Sequence, residues 1–223
     1  MKEGTTEQKL TVVHPEMDSY MASLAEGAAF PQTDGTVAEM EALAGQRDFP
    51  IIGRLAGRFL FQQTLLLGAR SVFEMGSGFG YSAYWFAKAV GSGGTVVCTD
   101  RSEENSTLAR SFMEKCGFTD RTVLRTGDAV AIMDEADGVF DIVFTDIDKR
   151  RYPEAFLSAR GKIRPGGLYI VDNAFWDGRA ANPSGDPDSE GVAEFNKAVM
   201  SDPDFLTVQV PIRDGVSVSL KLR

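Results

Sequence analysis

Ser71-Val72-Phe73-Glu74-Met75-Gly76-Ser77-Gly78-Phe79-Gly80-Tyr81-Ser82 runs from a short apolar strand pattern through an acidic residue into three alternating glycines, and a helical pattern begins at its end. Glycine lets a backbone turn sharply after a strand and lets a ligand approach main-chain atoms. A turn of this kind at a helix N-terminus commonly receives a nucleotide-like ligand. Downstream, strand and helix patterns alternate. Strand candidates fall at 71–75, 95–99, 122–126, 140–146 and 167–172, with helical stretches at 81–90, 103–115, 129–135 and 153–162 between and after them. That alternation predicts a parallel sheet with both faces covered by helices.

A loop rich in Pro, Gly and Asp at 178–189 leads to a helix near 192–200. Two closing strands, 205–211 and 216–222, then flank Arg213-Asp214-Gly215, read as an Asp-Gly hairpin turn. Upstream, residues 1 to about 65 read as helical, most clearly over Glu16–Ala29 and Pro50–Leu67. Pro50 suits a helix first turn, and 30–35 reads as a loop. The expectation is one domain over 1–223, with a helical part at 1–68 and an α/β core at 69–223.

Composition narrows the function. The chain has 223 residues, 43% of them hydrophobic and 25% charged, which is ordinary for a globular protein. No apolar run reaches the ~18 residues that span a bilayer, and Met1 to Glu7 has no apolar signal core. A cytoplasmic protein without a membrane partner is expected. The net charge of −9 argues against general binding to a nucleic-acid backbone, although Lys149-Arg150-Arg151 forms a local basic run. His14 is the single histidine, which removes histidine-based triads and zinc sites. Cys98 and Cys116 read as small core residues.

In an open α/β sheet, ligands bind outside the carboxyl ends of the strands. The second strand candidate ends at Asp100, suited to accepting hydrogen bonds from ribose hydroxyls or to capping the next helix. The third ends in Gly127-Asp128-Ala129, where Asp128 meets an adenine ring or caps a helix. The fourth leads into Asp146-Ile147-Asp148-Lys149, and the fifth into Asp172-Asn173. Asp146, Asp172 and Asn173 are three hard oxygen donors able to converge on one point, which suits Mg²⁺ first and Ca²⁺ or Mn²⁺ as alternatives. The structural alternative is a pair of loop caps and a surface salt bridge.

The glycine spacing is not that of a dinucleotide site, because Tyr81 stands where the third glycine of Gly-x-Gly-x-x-Gly would fall. Acidic-x-Gly-x-Gly-x-Gly instead resembles the first motif of the S-adenosylmethionine-dependent methyltransferases. Together with Phe144-Thr145-Asp146-Ile147-Asp148-Lys149, Tyr152, Val171-Asp172-Asn173-Ala174-Phe175-Trp176 and Asp214-Gly215, it makes the chain similar to the cation-dependent class I O-methyltransferases, the catechol and caffeoyl-CoA group. The resemblance covers about residue 50 to the end. It implies a Rossmann-like methyltransferase fold, with a mostly parallel seven-stranded sheet, a C-terminal antiparallel hairpin and N-terminal helices.

By that resemblance Asp146, Asp172 and Asn173 are the metal ligands and Lys149 the base, so the catalytic pair is Lys149 and Asp146. The cofactor set is Glu74, Gly76, Ser77, Gly78, Tyr81 and Ser82, then Asp100 and Arg101, Asp128 and Ala129, and Asp146 and Asp148. Trp176 either stacks on an aromatic acceptor or packs in the core. The implied reaction is transfer of a methyl group from S-adenosyl-L-methionine to a small phenolic acceptor by a homodimer. A hydroxylated tRNA base is a second acceptor class. An NAD-dependent oxidoreductase and a non-catalytic S-adenosylmethionine binder are the rival readings.

Overall fold

The computed structural model describes residues 13–28, 31–33 and 35–223. Three helices come first, α1 (Pro15–Glu26), α2 (Gly35–Arg47) and α3 (Gly53–Leu67). The alternating part follows as β1 (Ser71–Met75), α4 (Tyr81–Val90), β2 (Thr95–Asp100), α5 (Glu103–Lys115), β3 (Thr122–Thr126), α6 (Ala129–Glu135), β4 (Phe140–Thr145), α7 (Tyr152–Ala159) and β5 (Ile163–Val171). It ends in α8 (Pro187–Ser201), β6 (Phe205–Val210) and β7 (Val216–Lys221). No helix among the described residues is long and apolar enough to cross a membrane.

The seven strands form one sheet in the order β3-β2-β1-β4-β5-β7-β6. Strands β1 to β5 pair in parallel, and β7 runs antiparallel to both β5 and β6. This is the expected class I methyltransferase sheet. Alternate residues of each strand feed opposite cores. On one face Val72, Ile142, Phe144 and Ile170 pack with Met40, Leu60, Trp85 and Phe112 from α2, α3, α4 and α5. On the other, Phe73, Val143, Tyr169 and Val171 pack with Met133, Phe156, Phe195 and Val199 from the last three. Trp85, Tyr84, Phe86 and Phe195 are fully buried, worth about 2–3 kcal/mol each in removed apolar surface.

Several boundaries differ from the sequence expectation. Pro50 is not in a helix first turn: α3 starts at Gly53, and 49–52 runs as a non-helical strap between two helices. Helix α8 starts five residues before Val192, inside the expected loop. Asp186 caps it, accepting from the Ser189 N–H at 3.0 Å, and Pro187 occupies its first turn. Strand β5 reaches back to Ile163, with its Pro-Gly-Gly accommodated by a register shift opposite 140–142. The hairpin is not a two-residue Asp-Gly turn. Its connection is 211–215, with Arg213 at φ +51° and Gly215 at φ +85°, and Asp214 is turned inward as an acceptor. Ala29, Phe30 and Asp34 of the expected helix end and loop lie outside the described residues. His14 caps α1, its Nδ1 accepting from the Glu16 N–H at 3.4 Å. Cys98 is buried and Cys116 half-buried at the end of α5, both in the first core.

Candidate active site

One line of register builds the site. Thr99 pairs with Met75, Met75 with Thr145, and Thr145 with Val171. The residues that follow, Asp100, Gly76, Asp146 and Asp172, therefore stand side by side at the carboxyl edge of four strands. Backbone bonds continue the alignment, with Gly76 N–H to Thr99 O at 3.1 Å, Asp146 N–H to Met75 O at 2.9 Å and Asp172 N–H to Thr145 O at 3.1 Å. The chain order reverses between β1 and β4, so this edge is the topological switch point where open sheets bind ligands.

Gly76 is required there twice over. Its φ is +90°, and a Cβ would fall 2.1 Å from the Asp146 carbonyl oxygen. The glycine loop then folds back: the Gly78 N–H donates to Asp100 Oδ2 at 3.0 Å. Asp100 Oδ1 accepts from the Ser102 N–H at 2.8 Å and from Asn105 Nδ2 at 3.1 Å. Ser102, not Asp100, caps α5. Asp100 thus clasps the glycine loop to the start of α5 while facing the cleft.

Two cavities meet along Gly76, Asp100, Asp146 and Ile147. The first, ≈ 230 Å³, is bounded by Ser77, Gly78, Tyr81, Ser82 and Lys149 and roofed by the strap Phe49–Ile52. The second, ≈ 280 Å³, is bounded by Arg101, Gly127, Ala129, Asp148 and Arg151. Asp128 does not line it. Its Oδ1 caps α6, accepting from Val130 and Ala131, and its carboxylate pairs with Arg101 and Arg151, both at 2.5 Å. These contacts hold its pKa well below the carboxylate range. The capping alternative is the role the structure gives Asp128, because a carboxylate so engaged has little left for a ligand.

Glu74 lies beneath the glycine loop rather than on the cavity wall. It is fully buried, and neither carboxyl oxygen has a hydrogen-bond partner. Burial pushes its pKa up to about 8; the nearby Ser82 hydroxyl tempers the shift and the Asp146 charge adds to it.

At the β4 and β5 ends, Lys149 Nζ donates to Asp146 Oδ1 at 2.6 Å. Lys149 is 9% exposed, with Nζ 5.2 Å from the Tyr152 ring centre and 5.5 Å from the Trp176 ring. Asp172 is buried, and burial together with the Asp146 charge raises its pKa to about 7. Asn173 takes a left-handed φ of +53° and donates from Nδ2 to Asp214 Oδ2 at 3.3 Å. Asp214 also accepts from the Asp177 N–H at 2.6 Å, so the closing hairpin holds the 173–177 loop. Trp176 packs against the second core, with Arg179 4.6 Å from its ring centre. Its buried indole N–H has no acceptor among the described residues.

Sequence reasoning missed three contributions. Phe49, Ile51 and Ile52 roof the first cavity, and the strap's flanks are tied together: Arg54 pairs with Glu41 through two 2.8 Å contacts, while Tyr81 Oη donates to Glu41 at 2.8 Å. Asp214 orients Asn173. Gly191 lets α8 press on the Lys149–Arg151 turn, since a Cβ there would meet Lys149 O and Arg150 Cα at 2.5 Å. Only the Asp-Gly and Asp-Pro pairs signalled these elements locally.

Among the described residues no cluster of three or more His, Cys, Asp or Glu side chains forms a metal cage. The Asp146, Asp172 and Asn173 set relies on an amide for its third donor.

Residues 38–222 match the O-methyltransferase family model. Caffeoyl-CoA O-methyltransferase 1 of Eucalyptus globulus is 26% identical, over 93% of this chain and 90% of that protein. Catechol O-methyltransferase of Niastella koreensis is 32% identical, over 63% of this chain and 66% of that protein. The crystal structure of an O-methyltransferase from Bacillus cereus in complex with SAH superposes with a TM-score of 0.81 at 28% identity, covering 92% of this chain and 97% of that one. With the sheet order and the switch-point cleft, these matches establish that the chain belongs to the O-methyltransferase family and is an S-adenosylmethionine-dependent O-methyltransferase.

Proposed function

We propose that the protein is a divalent-cation-dependent O-methyltransferase acting on a small aromatic acceptor with two neighbouring hydroxyls. The observation that carries this reading is the convergence of Asp146, Asp172 and Asn173 at adjacent strand ends beside Lys149. The donor set suits a hard cation: two carboxylates and an amide oxygen, one carboxyl buried and raised to about 7 by burial and by its acidic neighbour. Two carboxylates placed together in a half-buried site favour a bound positive charge. Asp214 accepts from the Asn173 amide nitrogen, which leaves the amide oxygen to face the carboxylates. When bound, a divalent cation supplies Lewis acidity to the two acceptor oxygens and lowers the pKa of the attacking one.

The chain's own residues do the rest. The two joined cavities hold the methyl donor across Gly76, with Asp100 facing its sugar and Ala129 its base. Lys149 Nζ takes the proton as the acceptor oxygen attacks the methyl carbon and the carbon–sulfur bond breaks. The desolvated pocket of Tyr152 and Trp176 around Lys149 keeps water from that transfer. Alignment of oxygen, methyl and sulfur supplies much of the rate. The small cleft and the acidic net charge favour a small phenol over a hydroxylated tRNA base.

The test is methylation of catechol in chelated protein with and without Mg²⁺, alongside Asp146→Ala. Activity that requires Mg²⁺, and an Asp146→Ala variant that binds S-adenosylhomocysteine without turnover, are the expected results. Full turnover without a cation would overturn the metal part of the reading.

A further inference from the structure

The roof of the first cavity is a single thickness of chain. Phe49, Pro50 and Ile51 line that cavity, and the same three residues line a separate hollow of ≈ 350 Å³ that also touches Glu41 and Asp48. The strap therefore divides two spaces, with a hollow and not a packed layer behind it. Its own backbone does little to hold it. The Phe49 N–H donates to Ala44 O at 2.9 Å, Pro50 has no N–H, and among the described residues Ile51 and Ile52 donate to no backbone carbonyl. Its inner side is nonetheless pressed onto the glycine loop. A Cβ on Gly78 would stand 3.0 Å from the Phe49 ring, and the Phe49 and Phe79 ring centres are 5.0 Å apart.

One carboxylate ties the strap to that loop. Glu41 on α2 and Arg54 on α3 stand on either side of the strap in the chain, and Arg54 Nε and Nη2 donate to the two Glu41 oxygens, each at 2.8 Å. Glu41 Oε1 also accepts from Tyr81 Oη at 2.8 Å, and Tyr81 opens α4 directly after the glycine loop. Tyr81 is buried, and the Arg54 and Glu41 side chains are only 22% and 28% exposed. A two-point guanidinium–carboxylate contact in that setting is stronger and more directional than a surface pair. Glu41 itself does not line the first cavity. Any effect it has on a ligand there passes through the roof and Tyr81.

We propose that Glu41 is a positioning residue for the methyl donor, holding the roof at 49–52 to the glycine loop so that the first cavity is formed before the donor arrives. This role rests on the placement of the donor in the joined cavities given above, and on neither the cation nor the acceptor. A roof already in place leaves less ordering to be done on binding. Release of the latch that lowers the closed arrangement to about a tenth of the molecules raises the apparent dissociation constant about tenfold, with the closed complex unchanged. The loss falls on donor affinity, not on turnover of the closed complex.

The test is calorimetric titration of S-adenosylhomocysteine onto wild type, Glu41→Ala, Glu41→Gln, Tyr81→Phe and Phe49→Ala, with urea unfolding of each. Glu41→Ala should weaken binding about tenfold. Glu41→Gln, which keeps an acceptor for both partners, should weaken it less, and adding Tyr81→Phe to Glu41→Ala should weaken it no further. In catechol methylation with Mg²⁺, the KM for S-adenosylmethionine should rise with the dissociation constant while kcat stays within about twofold. The binding measurements need no acceptor, so they decide the matter whether or not catechol is methylated. A lowered unfolding free energy with unchanged affinity would make Glu41 merely structural and overturn the proposal, as would a fall in kcat with donor KM unmoved. Phe49→Ala locates the donor. Unchanged binding there removes the donor from beneath the roof and overturns the donor placement together with the latch. Weakened binding there, with wild-type affinity in Glu41→Ala, leaves the donor placement standing and overturns the latch alone.

Discussion

Replacing Gly191 by alanine sets helix propensity against packing. Gly191 lies inside α8 with no left-handed φ, so alanine should stabilise the helix by about 1 kcal/mol on propensity alone. The added Cβ, however, would stand 2.5 Å from Lys149 O and from Arg150 Cα, where ordinary contact begins at 3.4 Å. These are backbone atoms that cannot rotate aside, so the upper end of the overpacking range, about 3 kcal/mol, applies. The net expectation is destabilisation by about 2 kcal/mol, read from urea unfolding. Restoring contact requires roughly 0.9 Å of separation between α8 and the lysine turn. That turn is gripped by Asp188 Oδ1, which accepts from the Arg150 N–H at 3.1 Å, and by the Phe195 ring on Tyr152. It should therefore move as a unit and carry Lys149 with it. A misplacement of about 1 Å costs on the order of 100-fold in rate. Initial rates at saturating donor and acceptor should show that loss in kcat. A Gly191→Ala protein at least as stable as wild type, with kcat within about twofold, would refute the packing argument.

Two further substitutions separate charge from shape. Glu74, raised from 4.5 to about 8, is protonated in the folded protein at pH 7. The unfolded chain releases that proton near 4.5, so its contribution is full below that pH and declines until about pH 8. Glu74→Gln, which stays neutral, should flatten the fall in unfolding free energy between pH 5 and 8; superimposable pH curves would count against a neutral Glu74. Asp128 is the opposite case, with a depressed pKa set first by Arg151 and then by Arg101. Its stabilisation is present at neutral pH and fades as acid takes the carboxylate below the ordinary range. Asp128→Asn keeps the cap oxygen and loses the ion pairs, whereas Asp128→Ala loses both and should cost about 1 kcal/mol more at pH 7. Equal loss in the two variants would show that the cap contributes nothing.

The strands were legible because parallel strands buried on both faces leave apolar runs such as 140–145 and 167–171 that end in polar residues. Their boundaries shifted where a local signal competed with a distant partner. Pro165-Gly166-Gly167 reads as a strand breaker, yet β5 passes through it because Ile163 still pairs with Phe140 across a register shift. Asp186-Pro187 was a helix start hidden in a loop-like composition, and α8 begins there because the Asp186 carboxylate satisfies the Ser189 N–H. Asp214-Gly215 looked like a complete turn. Its length instead follows from Asp214 bonding to Asp177 and Asn173, about forty residues earlier in the chain.

The same distinction divides the site. Asp100 ends β2, Asp146 and Asp172 directly follow β4 and β5, and in-phase register brings such residues together whatever the loops do. Asp128 also follows a strand, yet Arg101 and Arg151 claim it, because β3 is at the sheet edge, away from the switch point. What the sequence could not show are groups delivered from outside that edge: the strap at 49–52, Gly191 and the inward-turned Asp214. Each depends on one segment's approach to another that is distant in the chain, so its partner cannot be read from the local pattern. Strand-end residues supply chemistry, whose geometric needs are the same for every acceptor. Strand ends therefore carry the chemistry that can be read along the chain, whereas the roof of the cleft and the seat of the lysine turn are set by packing between distant segments.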